Sequence, residues 1–447
     1  MSIKITLKRG LDINLKGEAS KTLSEVIKTQ RYAIIPDDYP GFTPKSDVKE
    51  GDTVLSGSPV MHDKTHEDMK LVSPVAGTVE SVIRGERRKI ERIVISADNS
   101  GKALTHKPGI PQSRENAVQL LLASGLWAMM RQRPYDIVPS PGKVPRDIFI
   151  TAFDSAPLAP DYEFILAGKR TELEAGVKVL SLLTDGRVYI GTRPGSQFSG
   201  ISGAETAEFN GPHPAGNAGI QAANIAPVNK GDTVWTLDAI TLARIGTLAL
   251  TGEVPMETTV AITGSEVKKR HYLRTFIGAE IAPMINGNIT ESGCHRRIIS
   301  GNVLTGTKLD TDGFLRYPYR HITIIPEGDD IAEFMGWASP GINKMSVSRS
   351  FIGHFLRHKK FAPDARILGS RRAMIMSGEY DKVLPMDIMA EYLLKAIISR
   401  DIDKMESLGI YEIAPEDMAL CEYVDTSKLE IQKIVRDGLD FLRKELE

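Results

Sequence analysis

Cysteine is nearly absent: the 447 residues hold two, Cys294 and Cys421, far apart along the chain. An iron–sulfur cluster as a rule takes four thiolates and a structural zinc site four Cys/His ligands, so neither is expected. A disulfide framework is not expected either. Also missing is an excess of one charge, since 56 Lys+Arg stand against 57 Asp+Glu for a formal net charge of −1. A dedicated nucleic-acid binder should carry a basic surplus, so no nucleic-acid partner is expected. Long apolar runs are lacking as well. The richest stretches, Leu120 to Met130 and Ile245 to Leu250, fall short of the ~18 residues a spanning helix needs. The first ten residues alternate like a strand and have no signal-peptide core. A cytoplasmic chain without a transmembrane helix is the expectation, with docking on a membrane complex left open. No Gly-x-Gly-x-x-Gly follows a strand, and Walker A and Gly-x-Ser-x-Gly sequences are absent.

What is present reads as roughly three or four domains. Residues 1–101 are short alternating runs broken by turn signals such as Pro40-Gly41, Gly51-Asp52 and Ala76-Gly77. Two segments, Val48 to Val60 and Val72 to Val82, resemble a biotinyl/lipoyl β-sandwich, whose tight hairpins need glycine. The interval between them offers Lys64 and Lys70, neither in the full setting of a modified carrier lysine, so the sandwich reads as unmodified. Residues 102–255 read as α/β. Ser113 to Met130 is a capped helix with Val118, Leu121, Leu122, Leu126 and Met129 on one stripe. The strand-like Asp147 to Ala152, helical Glu172 to Leu183 and strand-like Val188 to Gly191 imply a right-handed crossover and a Rossmann-like sheet. Residues 256–329 return to β around a short helix near Gly278, and 330–447 are mainly helical, with helices at Met386 to Arg400 and Leu429 to Leu446.

Several residues invite a functional reading. His62/His66 and His354/His358 are spaced i,i+4 and would face one another on a helix, yet neither pair carries the Glu of a zincin motif, so no metal site is expected. The run Gly211-Pro-His-Pro-Ala-Gly-Asn-Ala-Gly219 is either a ligand loop with His213 as donor or a structural corner. Arg349 to Lys360 mixes cations with apolar residues and suits either anionic lipid, an acidic partner surface or an ordinary solvated face.

Taken together the chain resembles the A-subunit family of the bacterial sodium-translocating NADH:quinone reductase. The resemblance spans nearly all of it. It rests on Lys8-Arg9-Gly10-Leu11-Asp12, Arg84-Gly85-Glu86-Arg87-Arg88, Ser124-Gly125-Leu126-Trp127 and Arg131-x-Arg133-Pro134. It continues through Asp185-Gly186-Arg187-Val188-Tyr189, Gly211 to Gly216, Leu250 to Glu253, Ser300-Gly301-x-Val303-Leu304-Thr305-Gly306 and Phe334-x-Gly336-Trp337. Ser346 to Phe351, Tyr380-Asp381-Lys382-Val383-x-Pro385-Met386-Asp387 and Glu416-Asp417-x-Ala419-Leu420-Cys421 complete it.

The resemblance implies a biotinyl/lipoyl-like sandwich, a Rossmann-like domain, a β-grasp soluble ligand-binding domain and a helical end. It implies a peripheral protein on the cytoplasmic face of the inner membrane, seated on the membrane-embedded B-subunit. The complex oxidises NADH, reduces ubiquinone or menaquinone and exports sodium. Flavins and iron–sulfur groups would belong to other subunits, with no cofactor on this chain and an association with quinone. Where related chains carry Cys-x-x-x-Cys-Pro, this one has Cys421 and Asp425.

A quinone head is a flat ring with two carbonyl acceptors and asks for an aromatic or apolar wall with one or two donors. Tyr39, Gly41 and Phe42, together with Trp127, Arg131, Arg133 and Tyr135, offer that chemistry and are expected to fold close together facing the B-subunit. The competing readings are a purely structural scaffold of the same complex and a stand-alone lipoyl- or biotin-dependent carrier.

Overall fold

The computed structural model describes residues 3–291, 293–330, 340–347, 350–356 and 358–446. The Phe334-x-Gly336-Trp337 motif, Ser348, Arg349 and Arg357 lie outside the described residues. The chain is an α/β multidomain protein organised around four sheets and a helical end.

The central sheet carries the functional argument. Its strands run in the order Ile3–Thr6, Glu205–Asn210, Val188–Thr192, Asp147–Thr151, Val234–Asp238 and Arg131–Arg133. All neighbours are parallel except the last pair, in which Arg131–Arg133 joins antiparallel to Val234–Thr236. Both faces are covered, which is why these strands are nearly continuous apolar runs. Ile148, Ile150, Val188 and Ile190 pack towards helices Arg170–Ser181 and Ala239–Thr251. Phe149, Tyr189 and Val234 pack on the opposite face with Ala222 of helix Ala218–Ile225.

The two helices on the first face approach closely through glycine. A Cβ on Gly246 would lie 1.7 Å from the Glu172 carbonyl oxygen, and one on Gly176 would lie 2.4 Å from that of Leu242.

The first two strands do not join the sandwich. Ile3–Thr6 lies beside Glu205–Asn210, and Ser20–Val26 pairs in parallel with His271–Phe276. Sandwich strands begin at Arg31 and end at Ala97, as a four-stranded and a three-stranded sheet. An alternating strand looks the same whichever sheet receives it, so its partner was not legible. The third large sheet is mixed, built from Thr307–Leu309, Arg296–Ser300, His321–Pro326, Glu257–Thr263, His271–Phe276 and Ser20–Val26. Its short helix is Ala282–Ile285, while Gly278 is a turn residue at φ +72°.

The helix capped by Ser113, whose hydroxyl accepts from the Asn116 N–H, ends at Ala123 and not at Met130. Gly125 at φ +75° breaks it, and Leu126 and Met129 reach the core from a 3-10 turn. Arg131–Arg133 is accordingly an edge strand and not a polar loop. His62 sits on a strand with its Nδ1 2.5 Å from Asp47 Oδ1, so the His62/His66 pair is not on a helix.

The helical end, with Ala390–Ser399 and Ile431–Leu446 as its longest helices, packs on Leu7, Phe209, Ala215 and Ile220 of the central unit. Among the described residues no helix is long and apolar enough to cross a membrane.

Candidate functional site

In chain order, the central strands step outward from Asp147–Thr151 through Val188–Thr192 to Glu205–Asn210. The chain then crosses back to place Val234–Asp238 on the other side of the first. Connections therefore diverge beyond Thr151 and Asp238, and such a reversal leaves a crevice at the carboxyl ends of the strands. A cavity of about 190 Å³ opens there, with Thr151, Asp154, His213, Asp238, Tyr317 and Arg320 among its walls.

Each wall has a local cause. Asp238 ends its strand and caps the next helix, its Oδ1 accepting from the Thr241 N–H at 2.7 Å. The glycine- and proline-rich loop folds over the opening. Ser155 Oγ accepts from the Gly216 N–H at 2.8 Å and lies 3.0 Å from His213 Nδ1. The His213 N–H donates to Asp12 Oδ1 at 2.9 Å. Helix Ala218–Ile225 starts here without a side-chain cap. Tyr317, Arg320 and His321 enter from the third sheet and the loop before it.

The electrostatics are unusual for so enclosed a space. Burial, then the Arg193 guanidinium, pushes the His213 imidazole down to about 4. Burial alone does the same to His321. Burial raises the Asp154 carboxyl, and Asp238 adds to the effect. Arg244, just behind the wall, is lowered to about 10 by burial and then by Arg320. Its Nη2 donates to the Glu257 carbonyl at 2.9 Å. Buried cations with incomplete partners are weak evidence for stability, and perturbed groups lining a cleft are candidates for a functional site.

Of the residues singled out in the sequence, Arg131 and His213 line this cavity. Tyr39 reaches it indirectly, its ring stacked on that of Tyr317 with centroids 5.3 Å apart. Tyr39 itself borders a gap of only about 20 Å³, room for about one water and not for a ring. Phe42 is core, and Gly41 holds φ +83° with Ile137 at 2.8 Å from where a Cβ would be. Trp127 is fully buried, its Nε1–H donating to the Pro139 carbonyl at 2.7 Å. Arg133 is 1% exposed, and its Nη1 donates to Asp417 Oδ2 at 2.7 Å and to the Glu412 carbonyl at 2.9 Å. Tyr135 is buried against the helical end, its carbonyl accepting from Arg436 Nη2 at 2.6 Å. The two segments do fold near each other, since Arg131 Nη2 donates to the Asp38 carbonyl at 2.7 Å. Their rings form the interior and not an open face.

Sequence reasoning missed Asp154, Asp238, Arg320 and His321. Asp238 is the last residue of one strand and Asp154 follows another by three residues, at the carboxyl ends where α/β sheets bind ligands, and that rule could have found them. Arg320 and His321 come from another unit and left no local signal.

Three family models match the chain in order. The NqrA N-terminal barrel-sandwich hybrid domain covers residues 5–98, the NqrA second alpha/beta domain 112–254 and the NQRA C-terminal domain 259–311. They define an α/β multidomain protein with a barrel-sandwich unit followed by an α/β unit and an SLBB-type unit. The A-subunit of the Na+-translocating NADH-quinone reductase of Serratia proteamaculans is 35% identical over 450 residues, covering 99% of this chain and 100% of that one. Its counterpart in Rhodopirellula baltica is 36% identical, with 98% of each chain covered. The chain belongs to the A-subunit (NqrA) family of the Na+-translocating NADH-quinone reductase, an oxidoreductase complex. Among solved structures an NAD+-reducing NiFe-hydrogenase overlaps 75% of this chain and 63% of its own at 11% identity and TM-score 0.37, too loosely to bear on the site.

Proposed function

We propose that the chain is the peripheral, cytoplasmic-face component of this reductase, seated on the membrane-embedded B-subunit. There it contributes to the quinone site, while flavin and iron–sulfur groups are held by other subunits. The observation that carries the reading is the corner where Arg131 lies over the Tyr317 ring, 6.0 Å from its centroid, with Tyr39 stacked on that same ring. Arg131 Nη1 and Nη2 already donate to the carbonyls of Ala128, Met130 and Asp38, so the guanidinium would serve a flat ring as a stacking face at the cavity wall rather than as a free donor. The switch in strand order supports a Rossmann-like character for 102–255, beside a sandwich in 1–101, a β-grasp ligand-binding unit in 256–329 and a helical 330–447. The first 26 residues lace the second and third of these units together.

A scaffold role is the second reading, favoured by Arg133, whose guanidinium is committed to the buried Asp417. A photoreactive quinone in the assembled complex separates the two. Labelling of the peptides carrying Tyr39 to Phe42 or Trp127 to Tyr135, with Arg131→Gln raising the KM for quinone several-fold, supports the quinone role. Labelling confined to other subunits, with turnover and KM unchanged in Arg131→Gln, leaves the scaffold.

A further inference from the structure

Cations and exposed apolar side chains gather in one stretch, residues 340–376. Half of the large apolar side chains that stand exposed among the described residues lie there. Its described residues carry Lys344, Lys359, Lys360, Arg366, Arg371 and Arg372 against Asp364 alone, whereas the whole chain is balanced at 56 to 57. Between 340 and 361 the sequence has no Asp or Glu.

The backbone of this stretch is tied to the body. Its first half closes on itself as a lobe. There the Ile352 N–H donates to the Pro340 carbonyl at 3.2 Å, and Gly353 abuts the Lys344 carbonyl too closely for a Cβ. Phe361 is buried; its N–H donates to the Asn14 carbonyl at 2.8 Å and its carbonyl accepts from the Lys16 N–H at 2.7 Å. The second half is an irregular strap. It is fastened where the Ala365 N–H meets the Pro326 carbonyl at 3.1 Å and the Arg372 N–H meets that of Ser427 at 2.8 Å. With the backbone so placed, Ile352 and Phe355 on the lobe are 48% and 69% exposed, and Ile367 and Ile375 on the strap 60% and 57%. Ile342, Leu356, Leu368 and Met376 are exposed as well.

The cations meet little negative charge. Lys344 lies over the Phe351 ring, 5.2 Å from its centroid. Lys359 Nζ donates to neutral oxygens, Asn343 Oδ1 at 2.7 Å and the Ile342 carbonyl at 3.1 Å. Lys360 with Glu18 and Arg371 with Glu430 are exposed pairs, at 3.1 and 2.8 Å, and such pairs hold weakly in water. Arg366 is committed to its neighbour Asp364.

We propose that residues 340–347, 350–356 and 358–376 form a surface by which the chain lies on an anionic lipid bilayer, with the exposed apolar side chains in the headgroup boundary and the Lys and Arg side chains on lipid phosphates. Apolar side chains exposed singly need no explanation, but so many in one stretch mark an interaction surface. The cations name the partner. An anionic bilayer offers phosphates at its surface and an apolar zone about 5–10 Å in. A protein-binding patch has a core depleted in Lys, whereas here every exposed apolar residue has a Lys or Arg within four positions. The inference rests on the peripheral seat proposed above and adds direct contact with lipid.

The test floats the full chain with vesicles of phosphatidylcholine alone and of phosphatidylcholine mixed with phosphatidylglycerol. Binding should require the anionic lipid and weaken as salt is raised. Each cation near such a surface contributes about fivefold, so Arg371→Gln with Arg372→Gln should lose roughly tenfold or more in partitioning. Ile367→Ser with Leu368→Ser should lose as much without touching a charge. On the unmodified chain, phosphatidylglycerol with a photoreactive acyl chain should label the peptides carrying Ile352 to Leu356 or Ile367 to Met376, which keeps the test decisive if a variant fails to fold. Copurification with the membrane subunits is scored separately. Anionic-lipid binding by a chain that does not copurify upholds the lipid surface and sinks the proposed seat. No vesicle binding, with copurification lost in both variants, gives the surface to an acidic protein partner and overturns the inference. Equal binding to both vesicles, labelling confined to other peptides, or partitioning unchanged in both variants overturns it too.

Discussion

Replacing Arg133 by Met should release the helical end from the central sheet. The guanidinium and the Asp417 carboxylate are both fully enclosed, with 1% and 0% of their side chains exposed and 2.7 Å between Nη1 and Oδ2. Asp417 Oδ2 also accepts from the Ala414 N–H at 3.0 Å, which holds the Pro415–Met418 turn. Removing one partner of a buried pair costs about 3–5 kcal/mol, because the other charge is stranded. At about 1.4 kcal/mol per decade this is roughly a 140- to 4,000-fold loss in local protection.

A chain of several units does not unfold as one cooperative step, so the readout is native-state hydrogen exchange of amides 414–424. Arg133→Met and Asp417→Leu should each lose protection there. The double variant should recover much of it, since no charge is left buried. Burial raises the Asp417 carboxyl while Arg133 lowers it, so in Arg133→Met that carboxyl takes up a proton more readily and the deficit shrinks as pH falls. A loss below tenfold in both single variants, or strictly additive effects in the double variant, would refute the reasoning.

The buried histidines give a pH dependence of definite sign. Folded His213 and His321 titrate near 4, against about 6.5 when exposed. Below pH 6.5 the unfolded chain takes up protons that the folded chain refuses, so the stability present above that pH is lost as pH falls towards 4. Native-state hydrogen-exchange protection of strand His321–Pro326 should drop across this window and drop less in His321→Phe; identical slopes would show that His321 does not titrate this way. Gly246→Ala should lower the hydrogen-exchange protection of helices Arg170–Ser181 and Ala239–Thr251 by forcing them apart, at about 1–3 kcal/mol for overpacking. Unchanged protection would mean the close approach at Glu172 is not maintained.

Periodicity carried the reading furthest where an element answers to its own residues. Ser113 capping its helix and the apolar runs at Asp147 and Val188 were legible because caps and strand cores are local. The end of that first helix was not, because Leu126 and Met129 continue its stripe while Gly125, with Val72 packed against it, turns the backbone at φ +75°. Arg131 and His213 stood out by composition and do line the crevice, yet the aromatic residues beside Arg131 were read as a wall when their rings are interior packing. Chemistry alone says that Trp127 can stack on a ligand. It does not say that Trp235 already sits edge-on to it, with ring centroids 5.1 Å apart. Asp425, at the place where the family resemblance leads one to expect a second cysteine, accepts from the Tyr380 hydroxyl at 2.9 Å and from the Leu429 N–H at 2.8 Å. That position is a fastening of the helical end, which no motif could announce.

The pairing of Ile3–Thr6 with Glu205–Asn210 also sets an order of events during synthesis. The opening strand leaves the ribosome about 200 residues ahead of its partner, which at roughly 5–20 residues per second is a wait of about 10–40 s. The sandwich strands between Arg31 and Ala97 find their ladder partners among themselves, apart from isolated bridges such as that from Tyr32 to Ala279, so most of that unit can close early. Ser20–Val26 has to wait longer still, for His271–Phe276. The nascent chain therefore presents two unpaired strand edges beside an already folded neighbour, the circumstance in which chaperones hold a polypeptide and in which two chains exchange strands. A copy truncated before residue 205 would keep those edges exposed indefinitely, which makes the amino-terminal 26 residues the part of this protein whose fate is decided by sequence that has not yet been translated.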